Sequence, residues 1–72
     1  MEKQIGMYVV NEAYNYDNGY SDIEVFDNYH HYLGTLNGAK YDFDEVTEDG
    51  ITNALDEGDY VDATDEMYEK TY

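Results

Sequence analysis

Apolar and polar residues alternate along the first third of the chain and later switch to a helical spacing. Over residues 4–16, Ile5, Met7 and Val9 fall on one side of a period-two pattern. Tyr8, Val10, Glu12, Tyr14 and Tyr16 fall on the other. β-Branched and aromatic residues dominate, which predicts one strand with apolar groups on both faces. Asp17-Asn18-Gly19 follows. Asn-Gly supplies the two positive-φ residues of a type I′ turn, so a hairpin is expected here. Residues 20–29 form the expected return strand, with Ile23 and Val25 (and Asp27) on one face and Asp22, Glu24 and Phe26 on the other. Residues 29–36 have two readings. They form a third strand that ends at the Asn37-Gly38 turn signal, or they continue the second strand as one long bent strand.

The period changes at Asp42. Phe43, Val46, Thr47, Gly50, Ile51, Ala54 and Leu55 lie on one stripe at helical spacing, predicting a helix over residues 42–58. Asp42 is a good N-cap, and Glu45 three residues on completes the capping-box pattern. Tyr41 and Val46 are placed for the hydrophobic staple, and Gly58 for the C′ position. Gly50 costs about 1 kcal/mol in a helix interior, so its place on the buried stripe suggests close approach to a sheet. Residues 60–64 read as a last strand, and residues 65–70 either extend it or form a helical turn. The expected fold class is α+β, an antiparallel sheet of three to four strands with one helix packed on a face, in the order ββ(β)αβ. Residues 1–72 form a single domain.

Composition narrows the function classes. Leu, Ile, Val and Phe together number 13 in 72 residues, a poverty that with high net charge marks disordered chains. Ten Tyr argue for a folded core instead, since each aromatic side chain buries about 150–250 Å². So small a domain has a thin stability margin, and homodimerisation is one way to gain buried area. The absence of Cys excludes disulfides and Cys-ligated metal sites. Three Lys and no Arg argue against direct nucleic-acid binding, and the negative charge argues against anionic membranes. Nothing suggests a signal peptide or a membrane span, so a cytoplasmic protein is expected.

The formal charge of −15 is unevenly placed. Residues 1–40 hold six acids and two lysines, whereas residues 41–72 hold twelve acids and one lysine. Such self-repulsion destabilises a compact state, so added salt is expected to raise the melting temperature. On the predicted helix, Glu45, Glu48, Asp49 and Asp56 (with Thr52) are expected on the face opposite Phe43, Ile51 and Leu55. Asp59 follows the helix, and Asp62 lies in the predicted last strand. Like charges at helical spacing repel by a few tenths of a kcal/mol per pair, about 0.2–0.5, and no lysine interleaves to relieve them. The face either only solubilises the protein or is a binding surface. These six acids are the candidate partner-binding residues.

No catalytic constellation accompanies them. His30 and His31 are adjacent and point to opposite faces of a strand. Ser21 is the only Ser, and there is neither a nucleophile elbow nor a phosphate-cradling glycine loop. EF-hand spacing fails from both Asp42 and Asp17. No enzyme activity, cofactor or metal is expected. At least half of the tyrosines suit core or sheet-face positions, and the rest suit interface anchors.

Carboxylates recur at about 5–6 Å along a helix surface and about 6.5–7 Å along a strand face. Duplex DNA carries one charge per about 1.7 Å of axis, so such rows are able to stand in for a phosphate track. A short, Arg-free, Tyr-rich chain with acids concentrated from Asp42 to Glu69 resembles the small acidic phage-encoded inhibitors of bacterial defence and repair. These are anti-CRISPR proteins, anti-restriction proteins and uracil-DNA glycosylase inhibitors. The resemblance is one of size and composition, without a shared motif. It implies a stoichiometric DNA mimic that occupies the basic nucleic-acid groove of a host nuclease complex. CRISPR–Cas is the first choice of target, with a restriction enzyme or uracil-DNA glycosylase as the alternative. A small acidic structural or adaptor protein is the reading from another class.

Overall fold

The computed structural model describes residues 2–62. Four antiparallel strands in sequence order, β1 (Glu2–Ile5), β2 (Tyr8–Asn15), β3 (Tyr20–Asp27) and β4 (Tyr32–Leu36), form one sheet. One helix, α1 (Glu48–Asp56), covers one of its faces. This is the α+β class expected, but the strand order differs: all four strands precede the helix. After the helix, Val61 makes an isolated antiparallel bridge to Thr35 on the outer edge of β4. The remainder of the strand expected over residues 60–64, and the segment 65–70, lie outside the described residues.

The single strand expected over residues 4–16 is two strands. Ile5 pairs with Tyr8, so Gly6 and Met7 form a two-residue loop. Gly6 has φ 59, while Met7 stays in the negative-φ region. That is the backbone pattern of a type II′ turn, which takes Gly at its first central position. The unbroken apolar run from Ile5 to Val10 hid this turn. The next hairpin is where Asp17-Asn18-Gly19 placed it, but with a different turn. Asn15 pairs with Tyr20, leaving a four-residue loop in which only Gly19, at φ 77, has positive φ. The Gly19 amide donates to the Asn15 carbonyl at 2.9 Å.

β3 and β4 are separate strands, so the long bent strand is excluded. The Asp27 side chain turns the chain: its Oδ1 accepts from the amides of Tyr29 at 2.8 Å and His31 at 2.9 Å. His30 adopts φ 64, a left-handed conformation in which His is several-fold enriched over most residues. A bulge follows, because Val25 pairs with Gly34 but Phe26 with Tyr32, leaving Leu33 as the extra residue of β4.

The register fixes the two faces. Tyr8 and Val10 on β2, Ile23 and Val25 on β3, and Leu36 on β4 share the face that α1 covers. Ile51 and Ala54 of α1, with Phe43, complete that core. Burying one such aliphatic side chain stabilises by about 1.5–3 kcal/mol. The other face carries Val9, Asn11, Ala13 and Asn15 opposite Phe26, Glu24, Asp22 and Tyr20. Asp22, Glu24 and Thr35 there are buried although polar.

The helix begins five residues later than expected. Asp42 does cap a turn: its Oδ1 accepts from the Asp44 amide and its carbonyl from the amides of Glu45 and Val46. That turn stops at Val46. Thr47 is extended, at φ −111 and ψ 166, and its hydroxyl accepts from the Gly50 amide at 3.1 Å. Two capping sequences compete, and the second starts α1. Phe43 therefore reaches the core from its own turn. Gly50 falls in the first turn of α1, and a Cβ there would meet Thr47 and Val46 rather than the sheet. The close helix–sheet approach expected at Gly50 is thus absent. The C-terminus matches expectation. Gly58 has φ 73, its amide donates to Leu55, and the Asp59 amide donates to Ala54 at 2.8 Å, the two bonds of a Schellman motif.

Candidate acidic interface

α1 sorts its acids by position. Glu48, Ile51, Thr52 and Leu55 form the stripe turned toward the sheet, since Ile51 is buried, Leu55 packs on the core and Thr52 bonds the Tyr8 hydroxyl at 2.6 Å. Glu48 closes this stripe at the sheet's end. Its Oε2 accepts from the Met7 amide at 2.8 Å, so the carboxylate holds the β1–β2 turn. The expectation that Glu48 and Thr52 face away from the sheet is therefore wrong. The reason is that Glu48 lies three residues before Ile51 and four before Thr52, on the same helical face.

Asp49 and Asp56 are on the outward stripe with Asn53, and all three are exposed. Seven residues apart, the two acids are separated by about 10.5 Å along the helix axis. Glu45 is exposed on the preceding turn. Among the described residues, no hydrogen bond or ion pair holds the carboxylates of Glu45, Asp49 or Asp56. Asp56 sits in the last turn of α1, which has no basic residue. The negative end of the helix dipole disfavours an anion there, whereas Asp49 in the first turn is favoured.

Asp59 is committed internally. Its Oδ2 accepts from the Tyr41 hydroxyl at 2.7 Å and forms an ion pair with Lys40, tying the end of α1 to the turn after β4. Lys40, and then Tyr41, hold the Asp59 carboxyl below its usual range. The same bond to Asp59 raises both Lys40 and Tyr41 above theirs. Asp62, exposed just past the Thr35–Val61 bridge, is not free either. Of the six candidate residues, the structure leaves Glu45, Asp49 and Asp56 with uncommitted carboxylates. It gives Glu48 and Asp59 structural bonds.

The cations are equally committed. Lys3 Nζ stands 4.4 Å from the centroid of the Phe43 ring. Lys40 pairs with Asp59 and lies 5.7 Å from the Tyr41 centroid. Both lysines of the described residues thus sit over aromatic rings, and neither forms an ion pair with Asp49 or Asp56. The sheet acids are tied too. Asn11 Nδ2 donates to Glu24 at 2.9 Å. Asp22 accepts from Asn15 Nδ2 at 2.8 Å and from the Gly38 amide at 2.7 Å. The His31 amide, foremost, holds the Asp27 carboxyl below its usual range.

The imidazoles are split, His30 against Glu2 at 3.3 Å and His31 against Asp27 at 3.4 Å. No group of three or more His, Asp or Glu among the described residues is arranged to hold a metal ion. Among the same residues no helix is long and apolar enough to cross a membrane. Sequence reasoning passed over one cluster: Glu12, Tyr14 and Tyr16 at the β2–β3 hairpin end, all exposed. Their period-two spacing just before the Asp17-Asn18-Gly19 turn was the available signal. No protein-family model matches the chain, and neither the curated proteins nor the solved structures give a match.

Proposed function

We propose that this protein is a stoichiometric inhibitor that mimics DNA and occupies a basic nucleic-acid groove of a host defence nuclease complex, with a CRISPR–Cas effector as the first target. One observation carries the reading. Asp49, Asp56 and Glu45 project carboxylates with no partner among the described residues, while both described lysines are consumed elsewhere. A surface kept acidic against like-charge repulsion and an unfavourable dipole at Asp56 suits a cationic partner. The axial offset of about 10.5 Å between Asp49 and Asp56 is close to three base-pair steps of about 3.4 Å. Inhibition would need no chemistry, only exclusion of DNA, and would act in the host cytoplasm.

The test is displacement of DNA from purified CRISPR effector complexes, restriction endonucleases and uracil-DNA glycosylase. The wild-type chain is compared with the Asp49→Lys/Asp56→Lys double variant. Glu48 is left intact, because its reversal would also open the β1–β2 turn. The expected result is displacement by the wild type, weakened tenfold or more (about 1.4 kcal/mol) in the variant and by added salt. Affinity that is flat from about 50 to about 500 mM NaCl would sink the proposal. Equal displacement by the double variant would do the same and favour an acidic adaptor.

A further inference from the structure

The charged helix is at one side of the molecule; a different surface lies at the end of the β2–β3 hairpin. Tyr14 and Tyr16 pack edge to face there, ring centroids 4.8 Å apart and planes at 78°. Tyr14 is 50% exposed and Tyr16 73%. Glu12 stands two residues before Tyr14 on the same face of β2 and is exposed. It lines a cleft that runs from Ser21, the strand partner of Tyr14, to Asp42 and Phe43. Asp17 adds an exposed carboxylate in the loop next to Tyr16. From Tyr8, beside the turn that Glu48 holds, to Asn15 at this end, β2 covers about 23 Å.

Two aromatic rings elsewhere in the fold show what such a surface takes. Phe43 is topped by Lys3, and Tyr41 is approached by Lys40. The Tyr14–Tyr16 pair has ring faces and neighbouring carboxylates of the same kind. No lysine of the described residues reaches it, because both are committed to those other rings. An arginine bound there comes from outside the chain, which has no Arg. Between the two cationic side chains, guanidinium fits better. It is planar, stacks on aromatic faces, sheds water more readily than ammonium, and forms paired hydrogen bonds to a carboxylate.

We propose that the Tyr14–Tyr16 pair with Glu12 and Asp17 is a second docking point, which receives an arginine side chain from a basic protein partner. Resting on the DNA-mimic reading, it makes the interaction two-pointed. Free carboxylates on α1 supply attraction by charge, and the hairpin end supplies a contact that distinguishes arginine from lysine. Stacking is a property of the ring faces, so it survives salt that screens the helix acids.

The probes are two synthetic peptides of equal length and charge, one presenting arginines and one lysines. Each is titrated into the full chain while the tyrosine ring signals are followed by NMR. The arginine peptide should shift Tyr14 and Tyr16 and bind tighter than the lysine peptide by about twofold or more, up to the roughly fivefold that a whole exposed cation–π pair supplies. Tyr16→Leu keeps the bulk and removes the π face. It should erase that preference while leaving the melting curve in place, since Tyr16 is an exposed loop residue. Equal binding of both peptides, or shifts confined to α1, overturns the docking point. The two readings fail separately. If Asp49→Lys/Asp56→Lys abolishes DNA displacement while Tyr16→Leu changes nothing, the mimic stands without this site. If arginine binds at the tyrosines and no nuclease releases DNA, the site stands and the mimic falls.

Discussion

On β3, Asp22 and Glu24 are 3% and 8% exposed, and their carboxylates answer to Asn15, Gly38 and Asn11. On α1, Asp49 and Asp56 are exposed and answer to nothing among the described residues. The sheet spends its acids on its own architecture. Its face away from α1 mixes Val9 and Phe26 with hydrogen-bonded acids and amides, which stand where Ile23, Val25 and Leu36 stand on the face that α1 covers. The helix layer uses only the acids at its seams, Glu48 at one end and Asp59 at the other, and leaves the rest outward. The acids of β3 and α1 therefore fall into two populations with opposite mutational behaviour. One population should cost stability when removed, and the other should not.

The largest effect is expected at Asp22. Replacing it with Ala removes an acceptor from the Gly38 amide and from Asn15, leaving donors in a nearly dry place. Hydrogen bonds to charged groups contribute about 1.5–3 kcal/mol, and Asp22→Ala should lose stability in that range by urea denaturation. A loss within experimental error would erase the distinction between the two acid populations.

Glu48 sharpens the boundary between them. Glu48→Ala should cost about 1 kcal/mol, for the lost bond to Met7 and the lost anion at the helix start. Asp49→Ala should cost less, because only the dipole contact is lost. Thermal melts of the two variants, side by side, read the difference; equal losses would put Glu48 with the free acids.

Glu48 also marks where sequence pattern stops being informative. Its side of the helix depends on where the helix starts, and two caps, Asp42 and Thr47, offer starts five residues apart. Both are satisfied in the structure, one by a lone turn and one by α1. Local rules cannot rank them, since the decision rests on how Phe43 and Ile51 enter one core. The first hairpin was obscured differently. Ile5, Met7, Tyr8, Val9 and Val10 are all apolar, so alternation could not reveal a reversal, and Gly6 was the sole signal. The hairpin around Asp17-Asn18-Gly19 and the Gly58 terminus were legible because each is marked by turn chemistry, whereas the Asn37-Gly38 signal left two readings of residues 29–36 open. In the candidate site, exposure of Asp49 and Asp56 was legible from spacing. The commitments of Glu48 and Asp59 were not, because their partners Met7, Lys40 and Tyr41 come from other elements.

Acidity tests both populations at once. Asp27 and Asp59 have carboxyls held below their ordinary value of 3.8 in the fold. Their contribution is fully present above that value and lost as pH falls through the lower folded-state one. Over the range above it, protonation elsewhere reduces net negative charge and its self-repulsion. Melting temperature should therefore rise on acidification from pH 7 to about 5 and fall below about 4. Lys40 and Tyr41, both raised, contribute fully below their ordinary values of 10.5 and 10.0, and the contribution disappears as pH climbs past the folded-state values. Asp59→Asn should flatten the acid limb. A melting temperature that falls steadily from pH 7 to 5 would show that repulsion among the free acids has little influence on the fold.

Asp56→Lys has the smallest expected effect on stability and is the most informative about purpose. Asp56 is an anion in the last turn of a helix with no basic residue there, so lysine should stabilise by about 0.3–1 kcal/mol through the dipole. It also removes one negative charge and adds a positive one beside Glu57 and the helix end, easing self-repulsion. On stability alone, lysine is the better residue. A solubilising surface has no reason to keep aspartate at that position, whereas a surface for a cationic groove does. The expected outcome is a variant that melts higher and displaces DNA less. If it melts higher and displaces DNA equally well, Asp56 belongs to neither population's purpose, and the interface would have to be carried by Asp49, Glu45 and the hairpin end.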